Sequence, residues 1–160
     1  MLSRRSFLAR AAALAGGTAA IAGARALGAA EPSIAKPVDI TVYKSPTCGC
    51  CTKWVDHLKA NKAFHVVARD VDDVDPVKDG LGIPARLRSC HVAVAGGYAF
   101  VGHVPSDLVA KVLRERPKIA GLAVPGMPVG SPGMEMGPRK DAYDVIAFTK
   151  DGKTSVYAKR

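Results

Sequence analysis

Apolar and polar residues alternate over 38–43 and again over 64–71, where Phe64, Val66 and Ala68 fall on one side and His65, Val67 and Arg69 on the other. Both stretches are predicted strands. Between them Ser45-Pro46-Thr47 breaks the alternation, and Trp54, Val55 and Leu58 then recur at i, i+1 and i+4, the stripe of an amphipathic helix running to about Asn61. Asp72, Asp73, Asp75 and Pro76, followed by Gly80, Gly82 and Pro84, mark a turn-rich passage with one short helix over 77–81. Two apolar runs, 92–95 and 98–101, flank Gly96-Gly97, a pair suited to the primed turn of a hairpin. Pro105-Ser106-Asp107 opens a helix carrying Leu108, Val109, Val112 and Leu113 at helical spacing, and Pro117 ends it.

The order β-α-β-(α)-β-β-α is that of a thioredoxin-like α/β fold. The stretch 120–140 holds Pro125, Pro128, Pro132 and Pro138 among several glycines and reads as a long connection without regular structure, of the kind that is often functional. Beyond it, 143–149 and 154–158 meet across Asp151-Gly152 as an added C-terminal β-hairpin.

The first thirty residues carry Arg4, Arg5, Arg10 and Arg25, no acidic side chain, and a mild apolar run rich in Ala and Gly. Ser3-Arg4-Arg5-Ser6-Phe7-Leu8 resembles a twin-arginine export motif, and small residues near 24–30 offer cleavage sites. The apolar run is shorter than the roughly 20 residues a spanning helix needs. Residues 1–30 are therefore expected to be an export signal, 31–37 a linker and 38–160 one domain in the periplasm, with no membrane span in the mature chain. Without the signal the formal charge falls from +9 to +5, nineteen basic against fourteen acidic residues, and the remaining basic side chains are scattered. No nucleic-acid partner is expected. No Ser-His-Asp set, phosphate-binding glycine loop or paired carboxylates support hydrolase or kinase chemistry.

The chemistry lies in the cysteines. Cys48-Gly49-Cys50-Cys51 contains a C-x-x-C pair at the start of the first predicted helix, where N–H groups and the helix dipole favour thiolates. Cys50 adds a third sulfur that a dithiol redox pair does not need. Cys90 precedes the third strand, whose end approaches that helix in a thioredoxin-like topology, so four sulfurs are expected at one end of the sheet. Clustered thiolates repel one another unless protons, disulfides or cations neutralise them. A closed set of four cysteine sulfurs suits zinc, but the thioethers of Met127, Met134 and Met136 in the irregular stretch tilt the set toward copper, as Cu(I). His91 and His103 are candidate ligands or outer partners. His57, two helical turns from Cys50, is too distant to share an ion, His65 reads as solvent-facing, and Trp54 as core.

With 43–51 and Ser89-Cys90-His91, together with 102–105, 121–128 and 130–135, the chain resembles the CopG-like copper resistance family over about 38–157. The resemblance implies a thioredoxin-like periplasmic domain whose Cys48, Cys50, Cys51 and Cys90 bind copper, with several Cu(I) ions bridged by sulfur, a part in electron transfer, and a copper-handling or redox partner protein. Val101 stands where the family pattern leads one to expect an acidic residue, and Pro84 lies too far from Cys90 to serve as the usual thioredoxin cis-proline. Two other readings stand beside copper handling. One is a thiol-disulfide oxidoreductase with Cys48 attacking and Cys51 resolving; the other is a passive domain stapled by two disulfides.

Overall fold

The computed structural model describes residues 36–160; the predicted export signal and most of the predicted linker lie outside the described residues. Seven strands form one sheet in the order β2-β1-β3-β4-β5-β6-β7. β1 (Val38–Lys44) runs parallel to β2 (Phe64–Asp70) and antiparallel to β3 (His91–Ala95); β3 pairs antiparallel with β4 (Tyr98–Gly102). β4 is parallel to β5 (Gly121–Val124), which leads antiparallel into β6 (Asp144–Phe148) and β7 (Thr154–Lys159). The helices are α1 (Gly49–Lys59), α2 (Asp75–Gly80) and α3 (Ser106–Glu115), with a 3-10 turn at Ala85–Leu87. The chain is α/β, and among the described residues no helix is long and apolar enough to cross a membrane.

The sheet is covered on both faces, which explains why its central strands are apolar on both sides. Trp54, Val55 and Leu58 of α1 and Leu108, Val109 and Val112 of α3 pack with Ile40, Val42, Ala93, Phe100, Leu122 and Val124. The opposite layer joins Val74, Ile83 and Leu87 to Val92, Ala99, Val101, Ala123 and Phe148. Successive residues of β4 and β5 thus serve opposite layers, as a pleated strand requires. Gly96 and Gly97 both take positive φ, 55° and 87°, consistent with the primed turn expected between β3 and β4.

One sequence expectation is overturned. The stretch 120–140 is not without regular structure, because Gly121–Val124 is a strand. All four of its residues are buried, so no alternation marks it. It also joins the C-terminal strands to the main sheet, so the predicted hairpin extends the sheet rather than standing beside it. The remainder of the stretch, 126–142, is irregular but internally bonded, with Gly130 N–H donating to Met134 O at 3.0 Å and Asp141 N–H to Val129 O at 2.9 Å.

Candidate metal centre

Cys48 caps the N-terminus of α1 and Cys50 and Cys51 lie in its first turn, which carries no acidic residue. Cys90 immediately precedes β3, the strand beside β1, so the sheet brings it to the same end as the helix start. One sulfur from each of Cys48, Cys50, Cys51 and Cys90 lies within 4.8 Å of the other three. Cys48 and Cys51 are joined in a disulfide, while Cys50 and Cys90 are free thiols. Residues three apart on a helical turn are neighbours, with Cα atoms here 5.3 Å apart, whereas Cys50 points off that line. Its Sγ is 3.5 Å from Cys48 Sγ. The two-disulfide reading does not describe this state, and a four-thiolate site requires the Cys48–Cys51 bond to be reduced.

Burial pushes the Cys90 thiol up, and the neighbouring Cys50 adds to the effect. Its sulfur is flanked by His91 Nδ1 at 3.4 Å and His103 Nε2 at 3.8 Å. Cys90, His91 and His103 also form a group with ligand atoms within 4.8 Å of one another. His103 leaves the sheet at Gly102, whose φ of 68° and closeness to Val124 O leave no space for a side chain; an added Cβ would stand 2.7 Å from that oxygen. Both histidines are wholly buried, not merely placed at strand ends. Trp54 stacks 4.4 Å from His91 and donates its indole N–H to Val104 O at 2.9 Å, which makes it part of the support as well as of the core.

Burial lowers the pKa of His103 and pushes that of His91 down to about 3, with the adjacent His103 adding to the latter. The unfolded chain takes up a proton on His91 below its ordinary value of about 6.5, which the folded chain refuses until about pH 3. His91's contribution to stability is therefore complete above that unfolded value and is lost as pH falls toward the folded one. Between pH 7 and pH 4 the metal-free protein is expected to lose roughly 3 kcal/mol. Urea unfolding midpoints that hold constant over that range contradict the burial of a neutral His91.

The irregular segment 126–142 lies against the site. At Gly133, with φ of 86°, a Cβ would meet Trp54 N at 2.8 Å and Cys50 O at 2.9 Å, so only glycine lets this backbone rest on α1. His103 Nδ1 reaches Pro132 O at 2.7 Å. Sequence reasoning did not find these two backbone contacts, although Pro132-Gly133 carries a turn signal that could have pointed to the close approach. Met127 and Met136 are exposed, at 41% and 68%, and Met134 is half-buried, so none of the three fills a core gap. Met134 and Met136 differ in burial, unlike two residues on one face of an extended segment. His57 is away from the sulfurs and accepts the Ser106 N–H at 3.1 Å, binding α1 to the start of α3. His65 is exposed beside Asp39.

A family model described as "Protein of unknown function, DUF411" matches residues 87–134, a stretch that holds Cys90, His91, His103, Met127 and Met134 but not the other cysteines. Two solved structures of "Copper resistance protein copG", Form 2 and Form 1, are 47% and 48% identical to the chain. Each has a TM-score of 0.73, and each match covers 78% of this chain and 98% of the other. The chain belongs to the CopG family. No curated protein matches it. The share covered, 78% of the chain, corresponds in extent to the described residues and so includes room for both the CopG cysteine motif at α1 and the segment matched by the family model.

Proposed function

We propose that this CopG relative handles copper, holding Cu(I) through Cys48, Cys50, Cys51 and Cys90 once the Cys48–Cys51 disulfide has been reduced. The observation that carries the reading is the gathering of four cysteine sulfurs within 4.8 Å at a helix N-terminus. Four thiolates this close are unstable as free anions, and a soft cation neutralises them directly. Bridging sulfurs would allow more than one ion. Copper supplies a one-electron couple when bound; the chain's own part is to fix the sulfurs, keep two neutral imidazoles beside them and cover the site with 126–142. Met127, Met134 and Met136 remain candidates for capturing copper at the rim. Copper resistance, named for the two structural relatives, is the role this chemistry would serve.

The thioredoxin-like reading is supported by the order β2-β1-β3-β4, with β3 opposed to both neighbours and α1 joining parallel β1 and β2. Export by residues 1–30, a linker at 31–37, a periplasmic domain over 38–160 and a copper-handling or redox partner complete the proposal. A second reading, thiol-disulfide exchange through Cys48 and Cys51, is favoured by one observation, the disulfide at the start of α1. Anaerobic titration of the reduced protein with Cu(I) against a competing chelator, followed by native mass spectrometry, separates the two. Copper handling predicts tight uptake of at least one ion per chain. Absence of uptake, with disulfide reductase activity present, gives the site to exchange.

A further inference from the structure

A sulfur and two ring nitrogens meet beside the disulfide without using either of its sulfurs. His91 Nε2 lies 3.0 Å from Gly102 O, and His103 Nδ1 lies 2.7 Å from Pro132 O. A carbonyl oxygen only accepts, so those two nitrogens carry the protons and donate them. Each ring is left with one lone pair, on His91 Nδ1 and on His103 Nε2. These are the two atoms that flank Cys90 Sγ, at 3.4 and 3.8 Å.

The spacing is that of a metal's donors. Bonds of about 2.3 Å to sulfur and about 2.0 Å to nitrogen place the two donor atoms roughly 3.5 Å apart at a tetrahedral angle and roughly 3.7 Å apart at a trigonal one. The rings are also held in place. His91 stacks on Trp54 at 4.4 Å and meets His103 edge-on at 5.0 Å, and both are wholly buried. Backbone carbonyls that fix the tautomer of an imidazole are what metal-binding histidines ordinarily have behind them.

We infer that Cys90, His91 and His103 form a metal site of their own, which holds one copper ion through one thiolate and two neutral imidazoles while the Cys48–Cys51 disulfide is closed. This deepens the copper-handling reading and rests on it. One thiolate with two imidazoles is a donor set that copper favours. On binding, the Cys90 thiol gives its proton to water and its sulfur bonds to the ion. Reduction then enlarges the site: an external dithiol passes two electrons and two protons to the Cys48–Cys51 bond, becoming a disulfide as two thiols are released. The disulfide state thus sets how much copper the chain can hold.

The test uses the full chain in its disulfide form, confirmed by two free thiols per chain, titrated anaerobically with Cu(I) against a chelator. The inference predicts one ion by native mass spectrometry, accompanied by quenching of Trp54, the single tryptophan of the chain. His103→Asn retains an N–H for Pro132 O while removing the lone pair, and is expected to weaken uptake at least about 100-fold, at or beyond the upper end of what loss of an outer partner produces. In the unaltered chain, nitrogen NMR is expected to show His91 Nδ1 and His103 Nε2 shifting on copper addition, a readout independent of how the variant folds. Uptake by the reduced form but not by the disulfide form overturns the inference and leaves the four-cysteine reading intact. Uptake that survives His103→Asn, or copper binding with both imidazole resonances unmoved, overturns it as well. Absence of uptake by either form overturns both readings.

Discussion

Cys50→Ser lowers the affinity of the reduced protein for Cu(I) by more than about 100-fold, a larger loss than removal of an outer partner ordinarily causes. Cys50 is a free thiol at the centre of the cluster, 3.5 Å from Cys48 Sγ and close enough to Cys90 to influence its proton. It has no part in a Cys48–Cys51 exchange couple, because that pair already provides the attacking and the leaving sulfur. The same substitution is therefore expected to leave reduction of a model disulfide substrate within a few-fold of the parent. Chelator competition and an insulin reduction assay, run on one preparation, measure both. Unchanged copper affinity with lost reductase activity would reverse the two assignments.

Gly121→Ala unfolds the protein or nearly so. A Cβ at this position would stand 1.8 Å from Ala99 O and 2.9 Å from the Phe148 ring, contacts no rotamer can relieve. Overpacking a core ordinarily costs about 1–3 kcal/mol. Here the obstacle is the backbone of β4, held by the Ala99 N–H to Ala120 O bond at 3.0 Å, so a loss above about 4 kcal/mol is expected. Gly80→Ala is the control, since nothing lies within 4 Å of its Cβ position and its φ is ordinary. Urea denaturation of the two variants compares them directly; equal midpoints would mean that β5 does not pair with β4 as described.

The contrast between β1 and β5 shows what the sequence could reveal. β1 has a half-exposed face, so its polar positions alternate with Ile40 and Val42 and the strand is readable. β5 is four residues long, buried throughout and bounded by prolines and glycines, so neither length nor period distinguishes it from a loop. At the site, the spacing of Cys48, Cys50 and Cys51 and the position of Cys90 before β3 were enough to expect four sulfurs together. Which two would bond was not legible, because four cysteines allow three pairings and only the turn of α1 selects Cys48 with Cys51. His91 and His103 could be named from their neighbours in sequence. What prepares them, the carbonyls of Gly102 and Pro132, belongs to backbone that no residue type announces.

Copper-edge X-ray absorption on the fully reduced, copper-loaded protein tests the central claim most directly. Copper held by the cysteine cluster predicts a first shell dominated by sulfur, with bonds in the usual metal-thiolate range of about 2.3 Å. A shell made of nitrogen and oxygen alone would contradict it, and would place the copper somewhere other than Cys48, Cys50, Cys51 and Cys90.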